Sequence, residues 1–354
     1  MYRSDGLSCS TNTNLLRRGA FDRKHSIVGG VLTALLLLGS KPAASQGSQQ
    51  QQTAPVNPGS VRTQTEESLP RLTPQEIQRY DQAKTLMDWT PEQIRDHPDL
   101  QGLQPAQSQQ DLPAILRVTG ERVSALFDDL PNMASTEEVR SGPCDEGLRK
   151  KCRVTYRGKF NYLVLVHPAE RNQLTGEYRT DLKGRPIDYR NLGRGRILLT
   201  YGFTTTPLRH FHPQNQAACR FRDFGRQSAG GQMTEVVGFV EIPGKYPWPT
   251  EWRHGNAVAA LYLQGLAWID VTTHQIVRIE TFLVTPPADG DLESLKTRVE
   301  FSAIQLRQAS SALWLPTEVV VDVSLHHHHF RNVHRYSTFK TFQVETRIGP
   351  AEEK

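Results

Sequence analysis

The feature that most constrains this chain is a succession of alternating apolar and polar segments between Ala257 and Ile348. In order they read AVAALYLQGLAWIDV, HQIVRIETFLV, KTRVEFSAIQLRQ, ALWLPTEVVVDVSL and FRNVHRYSTFKTFQVETRI. Within them Val319, Val321, Val323 and Leu325 share one parity, and Glu318, Asp322 and Ser324 the other. Further on, Phe342, Val344 and Ile348 oppose Thr341, Gln343, Glu345 and Arg347. A period of two means a strand with one buried face. The connections are short and no helix-length segment interrupts them, so neighbouring strands must run antiparallel.

The same period starts earlier. From Val154 to Val166, Tyr156, Phe160, Tyr162 and Val164 oppose Arg153, Thr155, Arg157, Lys159 and Asn161. Gly158 falls on the apolar parity, where it marks a bulge or a close approach. Weaker strands are expected at 174–180, 196–203, 219–224 and 234–242, separated by Gly- and Pro-containing connections. About ten strands should therefore share one antiparallel sheet.

A wide sheet with one apolar face needs a cover. The segment after Asp111 supplies one, because Leu112, Ile115, Leu116, Val123, Leu126, Phe127 and Leu130 recur at three- and four-residue steps up to Pro131. A membrane-surface helix is the alternative, but its polar face carries both signs of charge rather than a basic stripe. Ahead of it, Thr73-Pro74-Gln75-Glu76 and Thr90-Pro91-Glu92-Gln93 are two capping boxes with Pro at the first helical position. They predict short helices over Pro74–Met87 and Pro91–Arg95. The expected class is α+β, mostly β: a curled antiparallel half-barrel covered by an amphipathic helix, with an N-terminal helical segment.

The first 45 residues read as a signal peptide. Arg17, Arg18, Arg23 and Lys24 precede the apolar run Ile27–Gly39, and Ala43-Ala44-Ser45 offers small residues for cleavage. Retention as an anchor is the alternative, although the run is short for a span. Six of the 42 Lys and Arg and two of the 37 Asp and Glu precede Gln46, so the chain beyond carries a net charge of only +1. That balance gives no case for nucleic acid, which needs a concentrated basic face. Residues 46–70 form a Gln-, Ser- and Pro-rich tether that cannot bury enough surface to order itself. Residues 71–140 are the helical segment packing on the sheet, 141–349 the β domain and 350–354 a tail.

In an exported chain, Cys144 and Cys152 are the natural disulfide pair and Cys219 the leftover thiol; three reduced cysteines are the alternative. His326 to His329 are consecutive. On a strand His326 and His328 would share a face with Asp322, a plausible zinc or copper site, whereas in a turn they would be solvated. GxSxG, SxxK, HExxH and the phosphate loop are all absent. No catalytic residue is assigned and no cofactor is implied.

Four segments carry a resemblance: GEYRTD (Gly176–Asp181), GLAWID with QIVRIE (Gly265–Glu280), WLPTEVVVDV (Trp314–Val323) and RNVHRYSTFKTFQVETRI (Arg331–Ile348). They are similar to a group of exported proteins from acidobacteria, and the ending RYSxFxxF resembles the last strand of the periplasmic lipoprotein carrier and lipoprotein-sorting families. The likeness covers about residues 111–348. It implies a half-barrel whose concave apolar face accepts acyl chains, so the partner would be a lipid or a lipidated protein of the cell envelope. On this reading the ligand-facing residues are Leu116, Val123 and Phe127 on the helix, with Phe160, Tyr162, Val321, Val323 and Phe342 on strands.

Overall fold

The computed structural model describes residues 72–145, 151–166, 175–187, 203–247, 249–254, 257–288, 292–307 and 311–342. The signal-peptide and tether readings, most of the expected strand over 196–203 and the chain beyond Phe342 lie outside the described residues.

The N-terminal helices start where the capping boxes put them. α1 spans Pro74–Gln82 and α2 spans Pro91–Asp96. The Thr73 hydroxyl accepts from the Glu76 N–H at 3.2 Å while Glu76 accepts from the Thr73 N–H at 2.7 Å. α1 ends five residues before the expected Met87. Asp88 accepts from the Thr85 N–H at 3.1 Å and opens a separate 3-10 turn, which buries Leu86 completely and lets its N–H donate to Gln264.

α3 spans Leu112–Asp129, with Ile115, Thr119, Gly120, Val123, Leu126 and Phe127 on its buried side. Later, a 3-10 helix over Thr206–Phe211 runs into the single turn α4, Pro213–Gln216.

Thirteen strands are described. They are β1 (Gln104–Pro105), β2 (Met133–Cys144), β3 (Tyr156–Val166), β4 (Thr175–Thr180), β5 (Cys219–Ala229), β6 (Gln232–Glu241), β7 (Thr250–His254), β8 (Ala257–Leu261), β9 (Leu263–Asp270), β10 (Ile276–Leu283), β11 (Leu292–Ile304), β12 (Leu313–Leu325) and β13 (His328–Thr341). Eleven of them form one open antiparallel sheet in the order β1-β5-β6-β9-β10-β11-β12-β13-β2-β3-β4, and β7 pairs β8 beside it. The expected segment AVAALYLQGLAWIDV divides at Tyr262, β8 leaving the main sheet and β9 remaining in it.

β2 corrects the expected helical segment over 71–140. Its sequence, MASTEEVRSGPC, shows little apolar alternation, because its inward positions hold Ser135, Glu137 and Ser141 as well as Met133 and Val139. The strand nevertheless joins β13 to β3, pairing Glu137 with both Tyr336 and Phe160.

The expectation of a single apolar face holds for only part of the sheet. β9 is buried at all eight positions, as the near-continuous run LQGLAWID permits. On its outer side Leu266 and Trp268 join Phe224, Val236 and Val240 in a core with Tyr80, Leu86, Ile94 and Leu100 of the N-terminal segment. Residues 72–103 thus cover the outer face at β5, β6, β9 and β10, opposite α3. Elsewhere the outer face is charged, and opposite charges sit directly across from each other at Glu318–Arg335, Asp322–Arg331 and Glu138–Lys159. Such cross-strand pairs reinforce register.

Two glycines in the sheet sit at close approaches, of which Gly225 meets backbone and Gly158 only side chains. Gly225 has φ +118° at a bulge in β5, and a side chain there would strike the carbonyl of Gln104 in β1. Gly158 pairs Val139 without a bulge; a Cβ would meet the Tyr156 hydroxyl and the Phe160 ring, so the close approach is by neighbouring rings rather than the helix.

α3 lies across the inner face. Near its start the Gln109 side chain exchanges hydrogen bonds with the backbone of Asp223 in β5, at 2.8 Å each; beyond its end the chain enters β2. Along the sheet β5 and β2 are seven spacings apart, about 34 Å, whereas an 18-residue helix is about 27 Å long. The sheet curls about the helix, and one apolar core then unites Tyr162 of β3, Val321 of β12 and Phe239 of β6 with Val123 and Phe127.

Candidate functional site

The inner face has two chemical halves. Over β6, β9, β10, β11 and β12 it is apolar: Phe239, Ile269, Ile279, Val299, Val319 and Val321 are at most 1% exposed. Phe203, Leu208 and Phe211 meet this face from the segment before α4, and that segment packs on α3 at Gly120, where a Cβ would touch Gln216 and the Phe211 carbonyl. Around this core lie half-buried apolar side chains, among them Leu112, Leu116, Val166, Ile304, Trp314 and Phe339.

Over β13, β2, β3 and β4 the inner face turns polar. Glu137, Ser141, Glu177, Arg179, Asn332 and His334 are all buried there. Arg179 grips Glu137 by two hydrogen bonds, one from Nε and one from Nη2 to Oε1 at 2.6 Å, with neither side chain exposed. The same Oε1 accepts from Tyr336 at 3.0 Å and lies 2.8 Å from His334 Nδ1. Next to this group Tyr162 donates to Glu177 Oε2, and the Thr204 N–H donates to Glu177 Oε1 at 3.2 Å. Between the two carboxylates the Arg179 guanidinium carbon lies over Tyr162, 5.1 Å from the ring centroid, and the Tyr162 and Tyr336 rings meet edge to face with centroids 5.1 Å apart.

Burial pushes the Glu137 carboxyl upward, but the Arg179 guanidinium and the hydrogen bonds from Arg179 and His334 outweigh it and hold the group down at about 2. Burial lowers His334 despite its contact with Glu137, so the imidazole is neutral. Tyr162 and Tyr336 are raised, first by burial and then by the carboxylates beside them. A buried ion pair of this kind is a poor way to gain stability, since desolvation offsets the attraction. Perturbed groups gathered on a concave face mark a functional candidate.

A second buried polar pair lies between the segment 203–216 and β6. His210 Nε2 is 2.7 Å from Glu241 Oε1, and His210 Nδ1 is 3.0 Å from the Pro207 carbonyl. Burial raises Glu241, with His210 acting against it. Both ring nitrogens are engaged, which suits a structural clamp holding the inner segment to the sheet.

Of the sequence-derived ligand residues, Val123, Phe127, Tyr162, Val321 and Val323 come together in the inner core, and Leu116 packs half-buried against it. Phe160 belongs to a separate small cluster with Val139, Tyr156 and Ile187. Phe342 sits just past β13, half-buried, its N–H bonded to the Asn132 carbonyl at 3.1 Å.

The histidine tract adopts the turn alternative. His326 and His327 have φ of 47° and 63° and form the two-residue connection between Leu325 and His328, so His326 lacks the extended geometry that would align it with His328. Both are exposed, as is His328; His327 pairs with Glu293 at 2.6 Å. Among the described residues no group of three or more His, Cys, Asp or Glu is placed to hold a metal ion. Cys144 and Cys152 are disulfide-bonded, and Cys219 is a buried thiol raised by burial and by Glu241. No helix among the described residues is long and apolar enough to cross a membrane.

The polar cluster was not assigned from sequence. A signal exists on β13, where Asn332, His334 and Tyr336 share one parity while Arg331, Val333 and Arg335 take the other, so the charged side faces out.

No family model matches the sequence, and no curated protein matches it. Solved structures do show likeness. A LolA superfamily protein from Nitrosomonas europaea is 10% identical, with a TM-score of 0.34, over 65% of this chain and 94% of that one. A DUF1329 family protein from Desulfovibrio piger is 12% identical, with a TM-score of 0.32, over 65% and 92%. A putative outer membrane lipoprotein-sorting protein domain from Vibrio parahaemolyticus is 13% identical, with a TM-score of 0.29, over 63% and 90%. At these scores the likeness is one of outline and assigns no activity.

Proposed function

We propose that this chain is a non-enzymatic exported protein that binds an apolar ligand, the acyl chain of a lipid or of an acylated partner, between α3 and the inner face of the sheet. The observation that carries this reading is the inner core itself: an apolar wall from β6 to β12, faced by a helix and edged by half-buried side chains such as Leu116, Ile304 and Trp314. A chain entering along that edge would exchange half-exposed apolar surface for full burial, worth about 25 cal/mol per Å². Export is supported by the run Ile27–Gly39 with the small residues after it, and by a disulfide that an oxidising compartment would preserve. Retention of that run as an anchor would hold the protein at the cell envelope.

Extraction of the purified chain followed by mass spectrometry, with uptake of a fluorescent fatty acid measured beside it, tests the proposal. Co-purified lipid or saturable uptake supports it; neither would sink it.

A second reading is an envelope interaction module whose own side chains fill the concavity. It is favoured by the complete burial of Phe239, Ile279, Val319 and Val321 beneath α3 and the segment 203–211. Failure of every apolar probe to bind would select it.

A further inference from the structure

Glu137 dictates what His334 can do on the far side of its ring. An ionised carboxylate only accepts, so the hydrogen bond between Glu137 Oε1 and His334 Nδ1 requires the proton on Nδ1. In the neutral ring Nε2 then carries a lone pair and needs a donor. His334 is 0% exposed, and its Nε2 makes no hydrogen bond.

Several nearby donor atoms are committed elsewhere. Tyr336 donates to Glu137 and Tyr162 to Glu177, while Nε and Nη2 of Arg179 are both held by Glu137. Thr204 is different. It is 1% exposed and its N–H is fixed on Glu177, yet its hydroxyl makes no hydrogen bond. The preceding residue, Phe203, lays its ring 5.3 Å from that of His334, and the Thr204 N–H sits on Glu177 of the same cluster, which sets both residues at the polar end of the inner face.

A bare acceptor and an unengaged hydroxyl, both buried beside an apolar wall, define complementary chemistry. We propose that His334 Nε2 and the Thr204 hydroxyl seat a hydroxyl group of the apolar ligand, its O–H donating to Nε2 and its oxygen accepting from Thr204. The ligand class is then a neutral long-chain lipid with a free hydroxyl, such as a fatty alcohol or a monoacylglycerol. A fatty-acid anion fits less well: it brings no proton for Nε2, and the Nε and Nη2 donors of the guanidinium in the cluster are already held by Glu137. This assignment rests on the apolar-ligand reading above and adds the polar end to it.

The test compares three probes of one chain length on the full chain: 1-hexadecanol, methyl hexadecanoate and hexadecanoate, each measured by equilibrium partition of the radiolabelled compound. Hexadecanol should bind at least tenfold more tightly than the other two. Thr204→Val should weaken hexadecanol severalfold and leave the methyl ester unchanged, and His334→Phe should bring the two within about twofold. If His334→Phe fails to fold, Thr204→Val with the three-probe comparison decides alone. Equal binding of all three overturns the hydroxyl seat while leaving the apolar-ligand reading intact, as does a preference for hexadecanol that Thr204→Val does not reduce. Tighter binding of hexadecanoate likewise overturns it. Binding of none removes both.

Discussion

Arg179 Nη2 donates to Glu137 Oε1 at 2.6 Å, and neither side chain has any exposed surface. Removing Arg179 leaves the Glu137 carboxylate buried without its counter-charge, held only by Tyr336 and His334, and breaking a buried ion pair in this way typically costs about 3–5 kcal/mol. Arg179→Met should therefore lower the urea midpoint sharply. Glu137→Leu combined with Arg179→Met should recover much of that loss, because two apolar side chains suit the surroundings. A cost below about 1 kcal/mol for Arg179→Met would mean that the pair is solvated.

The same pair sets an acid limit. Glu137 is held at about 2 against an ordinary 4.5, so its contribution is complete above pH 4.5 and is lost as the pH falls toward 2. That displacement corresponds to roughly 3 kcal/mol. His334 is lowered from 6.5, so below pH 6.5 the unfolded chain takes up a proton that the native ring refuses, and stability falls from there. His97 and His212 are also lowered by burial and Glu241 and Glu280 raised, so the contribution of His334 is read as a difference: the urea midpoint of the native chain minus that of His334→Phe should fall as the pH drops from 7 to 5. A midpoint difference between the two chains that does not change between pH 7 and 5 would contradict the burial of a neutral imidazole.

The disulfide closes a short loop, with a sequence separation of 8. Chain-entropy reasoning gives it about 2.5 kcal/mol. Cys144→Ser with Cys152→Ser should reduce stability by that order, while Cys219, buried in the native chain, should react with Ellman's reagent only on unfolding. Rapid native labelling of Cys219 would show that the β5 edge opens.

Leu86 is fully buried in the outer core, and its N–H donates to Gln264 at 2.8 Å. Leu86→Ala should cost about 2–5 kcal/mol without weakening ligand binding on the inner face. A matching loss of affinity would mean that the two faces are coupled.

The strands of β3, β10, β11 and β12 were readable because their parities are chemically distinct, and α3 because its apolar residues keep helical spacing. The capping boxes placed the starts of α1 and α2. What stayed hidden has one physical cause. Where tertiary partners satisfy polar residues, burial no longer follows hydropathy: Glu137 and Ser141 disguise β2, and Arg179 and His334 pass for a solvent side. Their partners are far away in sequence, His334 lying 197 residues from Glu137. The outer core was missed for a related reason, since a run such as LQGLAWID is buried on both sides and carries no alternation to read.

The central claim is that an apolar ligand enters the inner face and not the outer one, and two tryptophans report on the two sides. Trp314 packs against the inner core and Trp268 is buried in the outer one. In variants that keep one of these two and replace the other tryptophans by phenylalanine, a dibrominated fatty alcohol should quench Trp314 emission saturably and leave Trp268 unaffected. Equal quenching of both, or of neither, would contradict the account.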